Sequence, residues 1–544
     1  MLSSPRGRPS PARRARRRRT AAAAAALTAA LVAICPSSAA GPVSSAPAPP
    51  PVPRGIGDRL FPYLGNPGYD VASYDIALRY HGNDRPLDAI TTLTARATAP
   101  LPTFNLDFAH GDVRSVRVDG RPALFTGAGE DLVITPGRPV HRGARFRVTV
   151  RHTSDPGGSG GGWVRTHDGL AMANQADAAH RVFPCNDHPS DKARFTFRVT
   201  APKRLTVVAN GLPLGRTQKG DDITWRYGLA HPMATELAQI SIGRSAVLHR
   251  TGPGGMPVRD VVPAADRERL AKWLARTPAQ LEWMEKKVGP YPFETYGLLI
   301  ARATTGFELE TQTLSLFESG LFTTSGLPSW YIESIMVHEL AHQWFGDSVS
   351  PRRWSDLWLN EGHATWYEAL YGDERGKLPL EKRMRLAYRQ SDAWRASGGP
   401  PAAPLPSDAD HQIGIFRPVV YDGSALVLYA LRQRIGRAAF ERLERRWTHR
   451  YRDGVASTGD FIRLASEVAG RDLSGFLWPW LYGRTTPKMP GHPDWKSDAA
   501  AHGETMAKAG GNPGDGPAAA CDHRRVGAAA GGRESSGSAT RCRR

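Results

Sequence analysis

VHELAHQWFGD, from Val337 to Asp347, is the stretch from which the rest of the chain can be read. His338 and His342 are four residues apart, so on an α-helix they project from one face, one turn above the other. Two neutral imidazoles at that spacing can grip one zinc ion. Glu339 lies about 100° further round the helix. Its carboxylate therefore falls beside the metal rather than on it, where it can accept a proton from water. A catalytic zinc needs a third protein ligand and an open coordination position. Downstream, WSDLWLNEGHATWYE (Trp354–Glu368) offers Glu361, with 18 residues between it and His342. It also falls in a helical pattern, so two helices are expected to present His338, His342 and Glu361 to a single Zn2+, with Glu339 as general base. His363, two residues past Glu361, points about 200° away and reads as a packing residue.

Upstream of this segment, AADRERLAKWLARTPAQLEWMEKKVG (Ala264–Gly289) has helical periodicity and ends at a glycine. TYGLLIARA then reads as a buried strand. Helical patterns dominate from Trp330 to about Tyr371 and again from Tyr421 to Trp480. Nearer the N-terminus the period changes to two. Tyr74-Ile76-Leu78-Tyr80, Phe104-Leu106-Phe108, Phe146-Val148-Val150 and Phe195-Phe197-Val199 alternate as half-buried strands do. PGGSGGGW (Pro156–Trp163) lacks the Lys-Ser/Thr ending of a phosphate loop and reads as a loop. The fold class is therefore α+β multidomain, with an all-β region at 58–250 followed by a mainly α catalytic domain at 251–490. A Pro/Ala-rich linker is expected at 41–57 and a disordered low-complexity tail at 491–544.

The formal charge of the 544 residues is +19, but eight of the arginines fall within the first 40, which hold no acidic residue. That segment has the form of a signal peptide: a basic run at Arg13–Arg19, a 14-residue apolar stretch from Ala21 to Ile34, and small residues at Ser38-Ala39-Ala40. The apolar stretch is too short to span a bilayer, and no other stretch is long enough. A secreted protein is expected. Lipid anchoring at Cys35 is disfavoured by the bulky Ile34 before it. The remaining charge is spread as a solvated basic surface rather than a nucleic-acid site. Cysteines are too few for a disulfide framework or a Cys-ligated zinc ribbon, and Cys185 reads as a small buried residue.

HELAHQWFGD followed by WLNEGHATWYE resembles the gluzincin aminopeptidase family that includes aminopeptidase N and the leukotriene hydrolase. FPCNDHPSDKARFTFRV (Phe183–Val199) is similar to that family's β-domain segment, and VVYDGSALVLYALR (Val419–Arg432) to the segment carrying its catalytic tyrosine. The resemblance implies a saddle-like β domain followed by a thermolysin-like catalytic domain, in a short form lacking the large helical C-terminal domain. It implies that Tyr421 stabilises the oxyanion and that Glu310 binds the substrate's free α-ammonium. Gln175, nine residues before Pro184, matches a β-domain position near the same ammonium. Phe307 and Glu308 stand where the family has small residues. Peptides with a free N-terminus are the implied substrates. Two alternatives remain: a thermolysin-type zinc endopeptidase without ammonium recognition, and a catalytically silent binding protein on the same scaffold.

Overall fold

A computed structural model describes residues 54–498, apart from Ser159 and 408–413. The expected signal peptide, most of the linker and the tail beyond Asp498 lie outside the described residues. Among the described residues, no helix is long and apolar enough to cross a membrane.

The period-two segments become strands of one ten-stranded sheet. Tyr69–Arg79 runs antiparallel to Leu87–Ala97 and parallel to Arg194–Pro202. Tyr74, Ile76 and Leu78 point inward from one pleat face, as the alternation requires. In this register Tyr74 lies opposite Phe195, and the two rings stack at 4.8 Å. A second sheet, of four strands, contains Gly162–Thr166 and the fully buried Gly169–Ala173. Cys185 is buried with a free thiol, as expected.

The expected domain boundary at 250/251 is corrected. It would cut a hairpin in which Ser245–Thr251 pairs with Pro257–Pro263. That hairpin continues into Leu298–Ala301 and Ser315–Glu318 as a third sheet. Alternate residues of this sheet serve different cores. Leu299, Ala301 and Leu316 face the β-rich core, whereas Leu298, Ile300 and Phe317 face the helical one. The sheet is a wall shared by both modules. The periodicity of Leu298–Ala301 could not reveal this, because a strand buried on both faces reads as a continuous apolar run.

The helical pattern at 264–288 is divided into Arg267–Leu274 and Thr277–Val288, the second helix carrying Pro278 in its first turn, where the missing N–H costs nothing. The helices that matter for the site are Ser329–Ala341, Trp358–Glu374, Leu380–Gly398 and Asp422–Ile435. The expected tail start at 491 is also corrected. Trp495 is buried and stacks on Tyr429, with ring planes 5° apart, so the packed body continues past 490. A Trp worth this much apolar burial holds the segment despite its polar neighbours.

A buried carboxylate ties the start of the folded body to both modules. Asp58 accepts from the Leu60 and Trp354 amides at 2.8 Å each and contacts His188 Nε2 at 3.2 Å. His188 thus has a structural role. Burial alone would raise the Asp58 pKa, but the His188 and backbone bonds outweigh it and hold the carboxyl below its ordinary value. With the folded pKa depressed, this stabilisation is present above about pH 4 and is lost as pH falls through the folded pKa. Asp58→Asn should lower unfolding free energy by about 2–4 kcal/mol at neutral pH. In urea titrations the deficit should shrink towards pH 3; a pH-independent deficit would contradict this account.

Candidate active site

The helix Ser329–Ala341 is buried from Ser334 to its end, with Ile332, Ile335, Val337 and Leu340 in the helical core. This packing leaves the two histidines no freedom to turn away. His338 and His342 have ring centroids 4.9 Å apart. Both direct Nε2 at the same carboxylate oxygen of Glu361, at 3.3 and 3.4 Å. The opposite ring nitrogens are committed elsewhere: Nδ1 of His338 lies 3.1 Å from Glu368 Oε2, and Nδ1 of His342 lies 3.1 Å from the Phe345 carbonyl. Donation from Nδ1 fixes the tautomer that leaves each Nε2 lone pair for a metal.

Two glycines make the arrangement possible. Gly346 turns the chain after His342 with φ +135°, and a Cβ there would approach Asn360 Nδ2 to 3.2 Å and His342 Nδ1 to 3.4 Å. Gly362, beside Glu361, allows the helix from Asp422 to approach closely. A Cβ on it would sit 2.6 Å from the Ser424 Cβ.

The donor set fits zinc. Two imidazole nitrogens and a carboxylate oxygen converge within 4.8 Å, all on buried residues. Glu339 Oε2 is buried without a protein partner, as expected of a group whose partner is water beside a metal. A second set at the same spacing, Glu310, Glu339 and His342, shares His342 with the first. The first set offers two imidazoles, each with its Nδ1 engaged elsewhere, whereas the second offers one.

The charges explain why a cation belongs here. Burial raises the pKa of Glu339 to about 8, with Glu310 and Glu361 adding to the effect against the two histidines. Burial would likewise raise Glu361, but His342 and His338 bring it down to about 2. Burial would depress His338, yet its bonds to Glu361 and Glu368 hold it at about 9.

All seven residues singled out in the sequence line one cavity: Gln175, Glu310, His338, Glu339, His342, Glu361 and Tyr421. Gln175, from the β-rich module, donates through Nε2 to Glu310 Oε1 at 2.6 Å. Tyr421 immediately precedes the helix Asp422–Ile435, and its ring centroid lies 6.0 Å from that of His338. His363 faces away from the triad, stacked on Phe345 at 4.3 Å. Phe307 and Glu308 also line the cavity, and the Glu308 carboxylate is anchored by the Glu318 amide at 2.7 Å.

Sequence reasoning missed three features. Glu368 is seven residues beyond Glu361, two helical turns along the same face, a spacing that could have flagged it. Gln343 clasps the Glu310 loop, donating to the Glu310 carbonyl at 3.0 Å and accepting from the Thr313 amide at 2.8 Å. Nothing in its position beside His342 announces that. The glycine-rich loop forms part of the rim of a cavity of about 730 Å3 that shares Gln175 and Phe307 with the metal cavity.

Comparison with known proteins decides the ancestry. The peptidase family M1 domain matches residues 274–480, and the peptidase M1 N-terminal domain matches residues 170–237. The chain belongs to peptidase family M1. A probable aminopeptidase 1 from Saccharolobus solfataricus is 26% identical over 441 residues, 78% of this chain and 54% of that protein. Aminopeptidase N of Streptomyces lividans is 27% identical over 320 residues, 56% of this chain and 36% of its own length. The chain thus spans about half the length, or less, of these curated M1 relatives. An M1 zinc metallopeptidase structure from Deinococcus radiodurans is 28% identical with a TM-score of 0.67, covering 80% of this chain and 99% of that one. A mutant of it bound to a Tyr-Ser-Ala substrate gives a TM-score of 0.68 at 26% identity, covering 81% of this chain and all of that one. The β-rich module followed by a helical catalytic module is the M1 arrangement.

As an M1 protein with this donor set, the chain should lose zinc when one ligand is removed. His342→Ala and Glu361→Gln should each leave well under half of the wild-type zinc after dialysis, with far-UV circular dichroism unchanged. Metal analysis that finds full zinc retention in both variants would place the ion elsewhere.

Proposed function

We propose that this chain is a secreted, zinc-dependent aminopeptidase that removes the first residue of peptides with a free amino end. The observation that carries the reading is the Gln175–Glu310 pair, 2.6 Å apart and opening on the same cavity as the metal triad. A buried carboxylate with an amide to orient it is a receptor for an ammonium group. An ammonium held at that point leaves one bond within reach of the metal, the first peptide bond of the chain.

One ion is proposed, on His338, His342 and Glu361. Bound there, zinc supplies Lewis-acid polarisation of the scissile carbonyl and a lowered pKa for water. The protein's own groups do the rest. Glu339 accepts the proton of the attacking water and passes it to the leaving amine. Tyr421 donates its hydroxyl to the oxygen that gains negative charge. Glu310 and Gln175 hold the α-ammonium and set the register of the cut. Export rests on the basic, apolar and small-residue succession at Arg13–Ala40.

The test uses purified protein and aminoacyl reporters. Free-amine substrates should be cleaved at least about 100-fold faster than their N-acetylated counterparts, because blocking the amine leaves the buried Glu310 unpaired. Glu310→Gln should erase most of that preference, and Glu339→Gln should lower kcat by about 100- to 10,000-fold. Equal turnover of free and acetylated substrates would favour an endopeptidase instead. Mass spectrometry of the exported form should find an N-terminus near Gly41.

A further inference from the structure

Behind the metal triad, a chain of ionic contacts that the chemistry above does not use joins two parts that it does. Glu368 uses both carboxylate oxygens. Oε2 faces His338 Nδ1 at 3.1 Å, and Oε1 accepts from Arg383 Nη1 at 2.8 Å. The same guanidinium donates through Nε to Asp422 Oδ1 at 3.1 Å. Asp422 opens its helix directly after Tyr421, whose backbone is non-helical at φ −88°, ψ −93°. The ring of Tyr421 in turn lies 6.0 Å from that of His338, the planes tilted by 30°. The contacts therefore close a circuit: His338, Glu368, Arg383, Asp422, Tyr421 and back to His338. Its members come from the ligand helix, the Glu361 helix, the helix Leu380–Gly398 and the Tyr421 helix.

We infer that Arg383 is a positioning residue that holds the ligating imidazole of His338 and the hydroxyl of Tyr421 in register with each other. The inference rests on the aminopeptidase reading for the role of Tyr421, and on the metal triad for that of His338. The physical reason lies in the guanidinium. Its nitrogens are fixed in a planar fork, so two carboxylates bound to different edges cannot move independently. Glu368 and Asp422 are both buried, and in a low-dielectric setting the fork's hold on them is strong. A displacement of Tyr421 relative to His338 would have to break one of these bonds. A lysine could satisfy either carboxylate as a point charge but could not lock both.

Three measurements test this on the full-length, zinc-loaded protein. Arg383→Met should lower kcat by about 10- to 100-fold while KM changes by no more than about threefold, the pattern of an interaction made in the transition state. It should also weaken zinc, by about tenfold in competition with a chelator, since His338 loses the brace on its supporting carboxylate. The decisive arm is a double-mutant cycle. In a Tyr421→Phe background, Arg383→Met should cost no more than about threefold in kcat, because the group it positions is already gone. Full cost in that background, or unchanged zinc affinity, overturns the proposal. Should Arg383→Met fail to fold, Arg383→Lys keeps the charge without the fork. It should still lose at least about fivefold in kcat, and wild-type behaviour of that variant would equally overturn the inference. Wild-type protein that cleaves no free-amine substrate would refute the aminopeptidase reading, while chelator competition would still judge the brace on His338.

Discussion

One carboxylate oxygen of Glu361 stands between two imidazole nitrogens, 3.3 Å from one and 3.4 Å from the other. That contact is possible only if two helices are packed at one depth and one rotation. The depth is set by apolar residues of the ligand helix and the rotation by Gly362 against Ser424. Around the contact, Glu310, Glu339 and Glu361 are all buried. Such a concentration of acid groups in a dry interior is unfavourable unless something compensates it. Protonated histidines do so in part. Under the proposed function a divalent ion and a substrate ammonium would do so more completely, and the cost of assembling the site would become its affinity for what it binds.

The site is built from both modules. His338, His342, Glu339, Glu361 and Tyr421 come from helical elements or their ends, whereas Gln175 comes from the β-rich part. The β module therefore contributes a side chain to the cavity as well as support. Gln343 and Asp58 make that contribution rigid. Gln343 fastens the Glu310 loop to the end of the ligand helix. Asp58 bonds to His188 on one side and to the Trp354 amide on the other.

Much of this was legible in the sequence because helical spacing maps directly onto geometry. Two histidines four apart and a glutamate on the next helix specify a metal cradle whatever surrounds them. Alternation marked the strands for the same reason. Gln175 and Glu310 were reachable only by resemblance, since nothing about either residue alone distinguishes it from an ordinary polar side chain. The shared sheet was not legible. Leu298–Ala301 is apolar at every position, and a continuous run carries no record of which neighbour each face will meet. Trp495 was hidden differently, as one aromatic ring in a polar stretch whose average suggested no structure. The link through Arg383 joins residues 15 and 39 positions away, distances at which local pattern says nothing.

The wall between the two cores has a consequence for how such a protein can be inherited. A strand whose odd residues belong to one hydrophobic interior and whose even residues belong to another cannot be handed over with either alone. A genetic exchange that cut the chain at the apparent change of character near 250 would leave an unzipped hairpin and two half-clothed interiors. Recombination can therefore add to this pair at its ends or ornament its loops, but the two modules have to travel as one.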